Sequence, residues 1–171
     1  SLVSAMPSAL ALTPLGVFHT AISLLAIAAG AWALARDKVI VLNWLGKLYL
    51  TATAFTAATG LMMFRHDAWR IGHSFSVLTL AVLAIGTVAA ATPLFGRASR
   101  YVQAVFYSST MLIHLITGSA ETLTRLPPGA PLVTAANASV FTQIIGALVL
   151  LFLVGLAFQL RWLRGRLHSR R

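Results

Sequence analysis

The chain has 171 residues, of which 58% are hydrophobic and 9% charged, with a formal net charge of +10. Ordinary soluble domains carry about 25% charged residues, so the composition points to a single-domain, all-α integral membrane protein. With no cysteine in the chain, disulfides, thiolate metal sites, covalent c-type haem attachment and S-acylation are excluded.

Five segments are long enough and apolar enough to be expected as spans. The first covers residues 14–35 and opens on "TPLG", with proline at a position helices tolerate. The second covers 45–64 and the third 69–91, stopped by Pro93. The fourth covers 101–123, stopped by Pro127 and Pro128, and the fifth covers 138–162 with a basic tail behind it. The expected architecture is a four-helix bundle made of two hairpins, with the fifth helix added to it.

The basic residues fall between and after these segments, so they read as topology signals and not as a nucleic-acid surface. Arg36, Lys38, Lys47, Arg97, Arg100, Arg161, Arg164, Arg166, Arg170 and Arg171 lie on one side. Only Arg65, Arg70 and Arg125 lie on the other. The positive-inside rule then places the N-terminus outside and the C-terminus in the cytoplasm of an inner membrane. Trp32, Trp44, Trp69 and Trp162 all fall near expected span ends, where an aromatic belt belongs.

An internal repeat is visible. "HTAISLLAIAAG" from His19 parallels "HSFSVLTLAVLAIG" from His73, and "KLY" at Lys47 parallels "SRY" at Ser99. Thr59-Gly60 and Thr117-Gly118 close the second helix of each half.

On that topology His19, His73 and His114 share the outer leaflet. An imidazole is costly in a bilayer and usually has a partner, so three together suggest a ligand set. Helical spacing adds a polar stripe on span four through Gln103, Tyr107, Thr110, Met111, His114, Gly118 and Glu121. A second stripe on span two runs through Tyr49, Thr53, Thr56, Gly60 and Met63. Two chemistries suit the histidines. A b-type haem takes two axial imidazoles from facing helices, with Arg65, Arg70 and Arg125 available to its propionates. A copper or zinc ion takes His19, His73 and His114, completed by Met63, Met111 or Glu121. Glu121 and Arg125 also have the spacing of an i,i+4 ion pair, and Asp37 sits beside Arg36 and Lys38. No Walker-type or GxGxxG loop and no nucleophile-and-base set is present, so no hydrolase or transferase is indicated.

The first half of the chain resembles a group of small bacterial multi-pass membrane proteins of unassigned activity. The resembling pieces are His19 with Gly30, "LNWLGKLYL" (Leu42 to Leu50), "TGL" (Thr59 to Leu61) and "GHSFSVLTL" (Gly72 to Leu80). The resemblance implies a compact helical bundle. Members of that group often carry a histidine followed by basic residues where this chain has Asn43-Trp44, a departure that weakens any two-site haem scheme across the membrane.

The expected function is binding of a b-type haem or transition metal near the periplasmic face, for electron transfer or sensing. A single haem in one leaflet needs a redox partner or quinol. The alternatives are an accessory subunit of a membrane complex or homo-oligomer whose histidines only join helices, and a small metal-handling transporter.

Overall fold

The structure, a computed structural model, describes residues 13–63 and 71–168. The described residues form five long helices and no strand. They are α1 (Pro14–Asp37), α2 (Trp44–Met62), α3 (Ile71–Ala91), α4 (Ser99–Leu123) and α5 (Ala138–His168). Short 3₁₀ turns at Gly96–Ala98 and Ala135–Asn137 lead into α4 and α5.

The helix ends follow from local chemistry. Thr13 Oγ1 accepts the Gly16 amide at 3.1 Å, with Pro14 behind it, and this starts α1. Lys38 ends it in the left-handed region at φ 64°, its amide closing onto the Leu34 carbonyl. Asn43 then has two tasks. Its Oδ1 caps α2 through the Gly46 amide at 2.9 Å, and its Nδ2 donates to Asp37 Oδ2 at 2.9 Å. The two ends of the first hairpin are therefore tied by the residue that departs from the resembling proteins. Gly46 is required here because a Cβ would strike the Val41 carbonyl.

α1 packs on α2, α2 on α3 and α3 on α4, while α1 also touches α4. The four helices form a ring in which α1 faces α3 and α2 faces α4. α5 lies outside it, against α4. Small residues make the close contacts, as expected where apolar surroundings give no drive between helices. Ala26, Ala29, Gly30 and Ala33 form the buried face of α1. A Cβ on Gly30 would lie 2.7 Å from the Tyr49 ring, and one on Gly86 would lie 2.7 Å from the Tyr107 ring. Each hairpin thus seats a tyrosine of its second helix on a glycine of its first. Tyr107, and not the Tyr101 of "SRY", is the structural counterpart of Tyr49. Thr59 and Thr117 each follow that tyrosine by ten residues.

Three of the helical segments are long and apolar enough to cross a membrane: α1, α3 and Ala135–His168. α2 and α4 carry the tyrosines, threonines, Gln103 and His114, and that polar content lowers their hydropathy. Large apolar side chains cover the exterior. Leu150, Leu151 and Phe158 on α5 are 64%, 67% and 70% exposed, a surface suited to lipid contact.

Candidate functional site

The interior polar groups obey one local rule. A threonine in a helix can return its single proton to a carbonyl one turn back, which leaves its oxygen as an acceptor. Thr59 Oγ1 lies 2.8 Å from the Phe55 carbonyl and 3.0 Å from that of Thr56. With its proton committed there, it accepts from His19 Nδ1 at 2.8 Å. The network thereby assigns the His19 proton to Nδ1 and the lone pair to Nε2.

Tyr49 follows the same rule. Its hydroxyl donates to Thr110 Oγ1 at 2.6 Å, and Thr110 returns its own proton to the Tyr107 carbonyl at 2.7 Å. Tyr107 in turn donates to Thr87 Oγ1 at 3.2 Å, and Thr87 bonds the Leu83 carbonyl. His114 Nε2 meets Thr53 Oγ1 at 3.0 Å, and its ring lies edge-on to Tyr49 with centroids 6.3 Å apart.

These bonds set the levels of the histidines. Thr53 and Thr59 are six residues apart on α2, about 9 Å along the axis. His114 therefore sits about two turns deeper than His19, with Nε2 engaged by Thr53. His73 is 2% exposed and lies on the buried face of α3, one turn before Ser76. Ser76 Oγ and His19 Cε1 both press on the position a Cβ of Gly60 would occupy, the imidazole carbon at 3.4 Å. His19 and His73 thus share one end of the ring on helices that face each other, with Gly60 of α2 at the contact. The other glycines of that end differ. A Cβ on Gly118 would come no closer than 3.9 Å to Ile27, and one on Gly72 would meet nothing within 4 Å.

The remaining expected site residues are dispersed. Met63 is the half-buried C-cap of α2. Met111 is buried with its Sδ 3.2 Å from the Cβ position of Gly30, well below the His19 level. Glu121 is paired with Arg125 at 2.6 Å, both side chains largely exposed. Arg65 and Arg70, and Trp69 of the expected aromatic belt, lie outside the described residues. Among the described residues no group of three or more histidine and acidic side chains is arranged to hold a metal ion.

The donor set at the His19 end is two imidazoles, and among the described residues no group of three or more histidine and acidic side chains forms there. It offers one imidazole from each of two facing helices, and Nδ1 of His19 is already fixed by a hydrogen bond. That is how ligating histidines are usually oriented. Of the proposed propionate partners, Arg125 already has a carboxylate. Thr59 and Ser76 are functional neighbours outside the expected polar stripes, whereas Thr53 belongs to the stripe expected on span two. Only the i,i+3 step from Thr56 to Thr59 signals that Thr59 shares the buried face.

Comparison with protein-family models, curated proteins and solved structures gives no match to this chain. The likeness of its first half to small bacterial membrane proteins accordingly rests on the quoted residues alone.

Proposed function

We propose that this chain is a five-span inner-membrane protein that binds one b-type haem between His19 and His73 near the periplasmic face. What carries the reading is the meeting of these two imidazoles' helices at Gly60, with the His19 proton assigned to Nδ1 by Thr59. A buried imidazole (His73) and a half-buried one (His19) on facing helices would hold the haem iron between them. When bound, the haem supplies a one-electron couple. The chain's own part is to orient His19 through Thr59, to keep water from the apolar ring, and to present a glycine where bulk would block approach. A quinol or a protein redox partner completes the electron path. The N-terminus lies outside and the C-terminus in the cytoplasm.

His114 has a different role under this proposal. Its Nε2 is engaged by Thr53 and it stands about two turns deeper than His19, so it braces α4 against α2. The bracing role is the second reading for the whole set, that of an accessory subunit, and it is favoured for His114 in particular.

The test is an absorption spectrum of the detergent-purified protein, oxidised and dithionite-reduced, with metal analysis of the same sample. The expected result is a Soret band with a sharpened reduced α-band and about one iron per chain, the stoichiometry of one haem on two axial histidines. A flat spectrum overturns the haem reading and leaves the bracing role.

A further inference from the structure

A cavity of about 490 Å³ runs between α4, α5 and the end of α1. No histidine lines it, so it is separate from the site above. Its walls are apolar, built from residues such as Leu112 and Leu115 of α4 and Leu148 and Phe152 of α5. One polar pair interrupts them, where Ser108 Oγ donates to Gln159 Oε1 at 2.8 Å and is thereby satisfied. From Leu148 to Trp162 the groove follows α5 for fourteen residues, about 21 Å. One leaflet of hydrocarbon is about 15 Å deep, so the groove has the length of one acyl chain and the start of its headgroup.

The two ends differ in charge. At one end stand Lys38 and Trp162, with the Arg166 guanidinium 4.9 Å from the Trp162 ring centroid. Arg161 and Arg164 lie on the same turns of α5. The nearest acid in sequence, Asp37, is held by Arg36 and Asn43, and no acidic residue lines the cavity. An apolar channel with a cationic mouth matches an amphiphile with one long tail and a negative head.

We propose that this groove binds an anionic glycerophospholipid, one acyl chain lying between α4 and α5 and its phosphate at Lys38. A lipid there adds to the packing of α5, whose main helix partner is α4 and whose Leu163 clusters with Val39 and Ala104.

The test is native mass spectrometry of the detergent-purified chain, titrated with dioleoylphosphatidylglycerol or dioleoylphosphatidylcholine. Two variants accompany it. Lys38→Gln removes the one charge that lines the groove itself. Gly155→Leu fills the groove, since a Cβ there meets nothing within 4 Å and the new side chain enters open space. The wild type should retain one phosphatidylglycerol per chain, and phosphatidylcholine about fivefold less, the preference expected for one basic residue at a lipid surface. Lys38→Gln should narrow the preference for phosphatidylglycerol, and Gly155→Leu should lower both. Equal retention of the two lipids by the wild type overturns the proposal. So does phosphatidylglycerol retention that either variant leaves unchanged, or a second copy of the chain in place of the lipid.

Discussion

His19, Tyr49 and Tyr107 each give a proton to a threonine whose own proton returns to its helix backbone. This lets aromatic donors be satisfied in an apolar interior without any free carbonyl. Thr59→Val should leave the His19 N–H without its acceptor and destabilise the protein by about 1 kcal/mol. Thr59→Ser should restore most of the loss, and thermal unfolding in detergent reads both. The glycines under the tyrosines give a sharper contrast. Gly30→Ala and Gly86→Ala each place a methyl 2.7 Å from a buried ring, which should cost about 1–3 kcal/mol through overpacking. Gly146→Ala meets nothing within 4 Å and should be neutral or slightly stabilising, because alanine suits a helix better.

At the scale of elements, helix positions were legible because apolar runs, the TPLG start, Pro93 and Pro127 mark their ends. The expected span 14–35 became Pro14–Asp37, and 101–123 became Ser99–Leu123. The polar stripe of α4 was legible as far as His114, since Gln103, Tyr107, Thr110, Met111 and His114 are all buried, whereas Gly118 is half-buried and Glu121 exposed. The relative depth of the histidines was not. Counting from span ends gives His19 and His114 nearly equal depths. Their levels are set by which α2 threonine each one meets, and that register depends on helix rotation and on the glycine contacts. α5 has α4 as its main helix partner. Its link to the ring includes the Ser108–Gln159 hydrogen bond, and a double-mutant cycle with Ser108→Ala and Gln159→Leu should give a coupling of about 0.6 kcal/mol.

At the scale of the whole molecule, charge asymmetry and apolar surface point to a membrane, and the ring encloses what the apolar exterior cannot hold. Three helical segments are apolar enough to cross a membrane by themselves. α2 and α4 turn their polar residues inward, so on the five-span proposal they cross as members of the ring. A reporter fused after Arg171 tests the orientation. A cytoplasmic fluorescent protein should light up there, while alkaline phosphatase at the same place should stay inactive. An active phosphatase would reverse the topology and put the histidine end in the cytoplasmic leaflet.

On the proposed function His19 and His73, and not His114, would hold a haem. Pyridine haemochrome content should therefore be measured for the wild type and for His19→Ala, His73→Ala and His114→Ala purified in parallel. About one haem per chain is expected for the wild type and for His114→Ala, and none for the other two, as removal of an axial ligand requires. Full haem content in His19→Ala or His73→Ala, or its loss only in His114→Ala, would contradict the account.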